Sequence, residues 1–250
     1  MRPGLKDGVR ALLAGFGLLN KPGVRLFVII PLLINTLLFA AVIAYGASQL
    51  SEFITWLQAQ LSGWWAWLDW VVWLLWPLFV LFALLLVFFG FSILANLISA
   101  PFNGFLAAAV EQHLTGRWPD DGGNLKQLPQ EIVRAFAGEA RKLLYFALWA
   151  LPLLLLFVVP LVNIAAPVIW FLFGAWMLAL EYMDFPMGNH GHTFPTIRGM
   201  LAGQRPAAFG FGVAVLLLSM IPIANFIAMP VAVAGATRLW LEMDKSGVKG

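Results

Sequence analysis

Three stretches of this chain carry no Asp, Glu, Lys, Arg or His: residues 26–51, 70–110 and 143–180. A helix that crosses a bilayer needs about 20 consecutive apolar residues, so each stretch is a span or a membrane hairpin. Residues 4–20 follow a different pattern. Leu5, Val9, Leu12, Leu13, Phe16 and Leu19 fall on one helical face, with Lys6, Asp7 and Arg10 on the other. That predicts an interfacial amphipathic helix within residues 1–23, lying on the bilayer. Pro22-Gly23 then breaks the chain, and a long helix is predicted from Val24 through Leu50 towards Leu61.

Polar positions set the topology. Segment 1–25 holds Arg2, Lys6, Arg10, Lys21 and Arg25 against Asp7 alone, and segment 113–142 holds Arg117, Lys126, Arg134, Arg141 and Lys142. Residues 51–69 have Glu52 and Asp69 but no Lys or Arg. Around them crowd seven of the twelve Trp residues (56, 64, 65, 67, 70, 73 and 76), as at a membrane–water interface. Positive charge stays in the cytoplasm, so residues 24–113 read as two long transmembrane helices with the N-terminus inside. The second, from about Trp70 to His113, is unusually long for one helix; Pro77, Gly90 and Pro101 are candidate kinks. Residues 114–128, with Gly116, Pro119, Asp120-Asp121 and Gly122-Gly123, form a polar loop. An amphipathic helix from Pro129 runs into the apolar stretch at Leu143.

The C-terminal half holds two apolar stretches, each broken internally. The first break is Pro160-Leu161-Val162-Asn163-Ile164-Ala165-Ala166-Pro167. The second is Pro222-Ile223-Ala224-Asn225-Phe226-Ile227-Ala228-Met229-Pro230. Both read Pro-x-x-Asn with a closing Pro, a weak internal repeat. The arms at 143–159, 168–180, 207–221 and 231–241 reach roughly 16 to 26 Å, against a hydrocarbon thickness of about 30 Å. Arg198, Arg205, Arg238, Lys245 and Lys249 flank them and belong inside. The expectation is two re-entrant, hemi-penetrating hairpins, at 129–180 and 207–241, entering from the cytoplasm; four ordinary spans with very short outer loops are the alternative. Backbone at such tips cannot face lipid, and homo-oligomerisation would supply the missing walls.

Composition sharpens the class. Of 250 residues 62% are hydrophobic and 11% charged, with mean hydropathy +0.88, where a soluble domain carries about 25% charged residues. The fold class is therefore all-α integral membrane. The net charge of +3 and pI near 9.5 express topology rather than nucleic-acid binding. Cysteine is absent, which excludes disulfides, thiolate metal sites and cysteine nucleophiles. The first apolar run is too long for a cleaved signal peptide. No Walker sequence, dinucleotide fingerprint, serine elbow or zinc-protease helix is present, so neither an enzyme nor an ATP-driven pump is expected, and no cofactor is implied.

Candidate chemistry is sparse. Pro22-Gly23 opens a helix whose free N–H groups and positive dipole end favour an anion, and Arg25 adds donors matched to tetrahedral oxyanions. Lys21 and Arg25 read equally as positive-inside anchors. Asn35, Asn163 and Asn225 are the polar residues deepest in apolar surroundings, with Asn96 and Asn103 near the cytoplasmic end of the second span. Amides can donate to an anion without trapping it; capping or interhelical bonding is the plainer role. Glu111, Arg134, Glu139 and Arg141 suggest a cytoplasmic charge cluster, solvated or at a pore mouth. Asp184, His190 and His192 form too weak a pattern for a metal site, so none is expected. His190 suits either a proton relay or loop hydrogen bonds.

Three blocks carry a family likeness. The first is Gly17-Leu18-Leu19-Asn20-Lys21-Pro22-Gly23-Val24-Arg25 with Pro31-Leu32-Leu33-Ile34-Asn35. The second is Ala100-Pro101-Phe102-Asn103-Gly104-Phe105-Leu106-Ala107 with Val110-Glu111. The third is Tyr182-Met183-Asp184-Phe185-Pro186 with Asn189-His190, Phe194 and Arg198. In this order, over nearly the whole chain, they resemble the CysZ sulfate-permease family. The resemblance implies bacterial inner-membrane sulfate uptake for cysteine synthesis, described as proton-dependent. It also implies two long transmembrane helices with two hemi-penetrating hairpins, assembled as dimers or higher oligomers. The family's sulfate-binding turn, Gly-hydrophobic-Arg-Arg, is matched by Gly23, Val24 and Arg25, with Leu26 at the second Arg position and so one donor fewer. The expected function is a sulfate channel or proton-dependent permease, with sulfate and the lipid bilayer as partners and both termini cytoplasmic. Asn35, Asn96, Asn103, Asn163, Asn225 and Glu111 are the pore-lining candidates. A non-transporting membrane scaffold, wedging one leaflet with its hairpins, is the rival reading.

Overall fold

A computed structural model of the chain describes residues 3–60, 69–86, 91–119 and 128–245. Among these residues every regular element is helical. In chain order they are α1 (Leu5–Leu19), α2 (Leu26–Gln60), α3 (Asp69–Leu85), α4 (Phe91–Thr115), α5 (Leu128–Leu155), a 3-10 turn (Val162–Ile164), α6 (Ala166–Gly188), α7 (Phe194–Gly203), α8 (Arg205–Ser219) and α9 (Pro222–Lys245). The all-α expectation holds. The chain divides into two compact units, residues 29–102 and residues 1–28 with 103–250.

The first of these units consists of apolar helix with little protein around it. Ile29, Leu33, Leu37, Val42, Trp56, Trp73 and Leu81 are all exposed, while Phe39 and Ile54 are the buried large apolar side chains among its described residues. α2 is apolar on every face, uncovered, and long and apolar enough to cross a membrane. At 35 residues α2 reaches about 52 Å, longer than a bilayer core is thick. It begins and ends within two residues of the predicted bounds. Trp70, Trp73 and Trp76 are exposed, as an interfacial belt requires; Trp64, Trp65 and Trp67 lie outside the described residues. The predicted second span is divided between α3 and α4. Pro77 and Pro101 sit inside helices, while Gly90 lies outside the described residues.

The other unit has a protein core. α1 packs on α8 and α9, and α6 packs on both. Val231, Ala232, Val233, Ala234, Ala236 and Leu239 are fully buried, so α9 is the central helix rather than a lipid-facing arm. Small residues make this possible. A Cβ on Gly8 would enter the backbone of α8 at Ala207, and one on Gly210 would enter α1 at Leu5. Gly15 and Gly235 stand in the same reciprocal relation between α1 and α9, and Gly212 lies against Ala175 of α6. Backbones approach this closely only where side chains are missing, and close approach supplies the packing that lipid cannot.

That arrangement corrects the reading of α1. Its buried face is Gly8, Ala11, Leu12, Gly15 and Leu18, a stripe of mostly small residues that a search for bulky apolar positions passes over. Of the predicted apolar face, Leu12 turns inward, whereas Leu5, Leu13 and Phe16 stay exposed beside Lys6 and Arg10.

The two breaks also differ from one another. The first falls at residues 156–165, opening ahead of the predicted Pro160, with Leu161 at φ +69 and Pro167 already in the first turn of α6. The second is only Met220–Ile221. Pro222 opens α9, and the Asn225 backbone N–H donates to the Ile221 carbonyl at 2.9 Å. Pro fits a first helical turn because that position needs no N–H, so Pro222–Pro230 is helix and the proposed repeat has no structural counterpart. The helix predicted from Pro129 through the Leu143 stretch is present as α5.

Candidate functional site

Gly23 sits in the turn between α1 and α2 with φ +85, a left-handed conformation open to glycine and costly to other residues. The turn folds onto α4, where Phe27 stacks on Phe105 with ring centroids 6.2 Å apart, and Val24 is fully buried. Between turn and helix lies a cavity of about 340 Å³, lined by Pro22, Gly23, Phe27, Gln112, His113 and Trp118. Gln112, His113 and Trp118 bring side-chain N–H donors. The free amides expected at the helix start are largely taken. Val24 and Arg25 both donate to the Lys21 carbonyl, at 3.1 and 3.2 Å, and their own carbonyls accept from Phe27 and Val28. Donors for an anion here are therefore side chains more than backbone. Arg25 is exposed, beside the cavity in sequence but not among its lining residues.

On the same stretch of α4, Glu111 is 7% exposed. Its two carboxylate oxygens each lie 3.0 Å from His190 Nε2. The ring of His190 leans on Trp240, centroids 5.7 Å apart, with His192 on the same indole at 5.4 Å. Asn189 Nδ2 donates to the Gly104 carbonyl at 2.8 Å, and buried Asn103 donates to Met229 Sδ at 3.3 Å. The loop after α6 is thus held to α4 by polar contacts from Asn189 and His190, and to α9 by the rings of His190 and His192 on Trp240.

A second polar centre was not anticipated. Lys142, with its side chain 7% exposed, reaches Glu139 at 2.6 Å, Glu181 at 2.9 Å and Asp184 at 3.0 Å. Burial works against its charge, but Asp184, Glu181 and Glu139 outweigh it and hold the ammonium well above the ordinary lysine range. The expected cluster of Glu111, Arg134, Glu139 and Arg141 does not assemble. Glu111 goes to His190, Glu139 goes to Lys142, Arg141 is exposed, and the Arg134 side chain lies outside the described residues.

Comparison with known proteins accounts for the likeness. The family model described as "Sulfate transporter CysZ/Etoposide-induced protein 2.4" matches residues 11–230. The chain belongs to this family. Among its CysZ relatives, the Sulfate transporter CysZ of Pseudomonas aeruginosa is 43% identical over 245 residues, covering 97% of this chain and 98% of the relative. The proteins of the same name from Pectobacterium atrosepticum and Salmonella typhimurium are each 41% identical over 239 residues. Both alignments take in 95% of this chain, with 85% and 92% of the respective relatives.

The residues expected from the CysZ pattern end up in different places. Gly23 lines the cavity, Val24 anchors the turn, Glu111 sits on the same turn of α4 as the lining Gln112 without lining the cavity, and Asn103 lies more than a turn away along α4. Asn163 is exposed in the first hairpin turn and Asn225 is exposed in the first turn of α9. The side chains of Asn35 and Asn96 lie outside the described residues, on α2 and α4. Asp184 goes to Lys142, whereas His190 and His192 share the Trp240 ring, and no group of three His, Cys, Asp or Glu among the described residues is placed to hold a metal ion. Sequence reasoning missed Gln112, His113, Trp118 and Lys142. Lys142 had a signal: Glu181 and Asp184 are the sole acids between residues 143 and 204 and share a helical face at i and i+3.

Proposed function

We propose that this protein carries sulfate across the bacterial inner membrane, supplying sulfur for cysteine biosynthesis. The observation that carries the reading is identity of 41–44% along at least 95% of the chain with proteins named Sulfate transporter CysZ. Lipid-exposed apolar helices support it. Gly23, Val24 and Arg25 hold sulfate at the cytoplasmic end of its route, where the neighbouring cavity offers further donors. Asn103 and Glu111 on α4, with Asn35, Asn96, Asn163 and Asn225, are the residues proposed to line its route.

The architecture proposed for sulfate transport keeps both termini cytoplasmic and both hairpins re-entrant. Lys142 pins α5 to α6 at the level of Glu181. From there α6 climbs to its start at Ala166, about 22 Å, less than the roughly 30 Å of hydrocarbon. Helix α8, at 15 residues, also rises about 22 Å. From Pro222 to the residue before Arg238, α9 likewise rises about 22 Å. Charges at the base and uncharged turns at the tip suit hairpins that stop partway. The outward apolar arc of α1, with Lys6 and Arg10 beside it, suits an interfacial position. Exposed apolar surface on α2 and α3 gives a homo-oligomer the walls to share.

Uptake of a dianion against an inside-negative potential costs roughly 4.6 kcal/mol per 100 mV. A channel therefore depends on depletion of sulfate inside, whereas proton coupling would offset the cost directly. The candidate for such coupling is the Glu111–His190 contact, where an imidazole nitrogen lies 3.0 Å from a buried carboxylate. The decisive experiment is radiolabelled sulfate uptake into liposomes containing only the purified protein, with and without a pH gradient. Uptake that exceeds chloride flux is expected. Flux that is absent, or equal for the two anions, overturns the reading.

A further inference from the structure

At the elbow where α7 gives way to α8, bent by 107°, a second cavity of about 400 Å³ opens between Tyr145, Trp149, Trp176, Arg198, Arg205 and Phe209. Nothing in the sulfate reading uses it. Its two guanidinium groups stand without an acidic partner among the described residues, although Arg198 lies 5.4 Å from the Tyr145 ring centroid and gains from its face. Tyr145 Oη accepts a hydrogen bond from Trp176 Nε1 at 3.2 Å. Its own proton has no acceptor among the described residues, so it is a third donor into the same space. Trp176 packs on Phe209 and Tyr145 on Trp149, with centroids 5.5 and 6.5 Å apart.

We propose that this cavity binds the headgroup of an anionic phospholipid, its phosphodiester held by Arg198, Arg205 and the Tyr145 hydroxyl. Two arginines select a phosphate oxyanion through paired N–H donors. Four aromatic walls give a small inorganic anion nothing, since it stays hydrated, but they shelter the glycerol and first methylenes of a lipid. Trp and Tyr settle at headgroup depth, and basic pockets between helices on the cytoplasmic side hold anionic headgroups. A lipid bound here would bridge α5, α6, α7 and α8 at the base of both hairpins. The proposal needs only that the protein lies in a membrane, and it stands whether or not sulfate is the cargo.

Native mass spectrometry of the full chain in neutral detergent tests this with phosphatidylglycerol, phosphatidylcholine and sodium sulfate as probes. The wild type is expected to retain phosphatidylglycerol in preference to phosphatidylcholine, with millimolar sulfate unable to displace it. The double variant R198Q/R205Q should bind phosphatidylglycerol on the order of thirtyfold more weakly. K6Q/R10Q, which removes two exposed cations from α1, should bind as the wild type does. Trp149→Ala, at an exposed position, should weaken the lipid without altering sulfate binding. Equal loss in K6Q/R10Q, no preference between the two lipids, or displacement by sulfate overturns the proposal.

Discussion

At Gly23 and Arg25 the physics is local. A Cβ at Gly23 would meet nothing within 4 Å, so the residue is required by its φ of +85 rather than by space. Arg25 is different, because its amide is already used and its guanidinium is the part left for an anion. Arg25→Ala is expected to weaken sulfate binding about tenfold by calorimetry, the scale of one charge-assisted contact. An unaltered affinity would take Arg25 out of the site. Lys142 poses a stability question instead. Its folded pKa lies above its unfolded value, so its contribution is fully present below about pH 10.4 and is lost only as pH rises through the folded value. Lys142→Met leaves three carboxylates without their cation. With two of them half-exposed the expected loss is about 1–3 kcal/mol. Melting followed by tryptophan fluorescence should give a deficit that is unchanged between pH 6 and 9.

Helix packing here depends on absent side chains. Hydropathy marks α2 and α6 as candidate spans, but it says nothing of which faces meet, because Gly and Ala contribute little to an apolar stripe. Gly8 and Gly15 on α1, Gly210 and Gly212 on α8, and Gly235 on α9 decide those contacts. Gly212→Ala puts a methyl group against the Ala175 backbone, which cannot move aside as a flexible side chain can. The expected cost is about 1–3 kcal/mol, seen as a lower melting temperature in detergent; a variant as stable as wild type would contradict the close contact. Helix bounds were legible where charge or proline marked them, as at α2. They were misread at Pro222–Pro230, since proline ends some helices and begins others, and which it does depends on what its neighbours pack against.

For the whole molecule, the question is how deep the hairpins reach. The protein lacks cysteine, so single cysteines at the turns are clean reporters. Asn163→Cys should resist a membrane-impermeant maleimide in intact cells, while a cysteine replacing Glu52, outside by the charge pattern, should react. Labelling of position 163 from the periplasm would make α5 and α6 ordinary spans. Periodicity and charge alone established a helical membrane protein, its long α2 and the first hairpin turn, because one-dimensional hydropathy and the distribution of Lys and Arg record contact with lipid. Pairing lay beyond that record. That Glu111 meets His190, that Lys142 gathers Glu139, Glu181 and Asp184, and that α9 is buried by α1 through glycines are decided by which segments fold onto each other. Such contacts join residues 79 positions apart at Glu111 and His190, and farther apart still at Gly15 and Gly235, and hydropathy along the chain does not encode them.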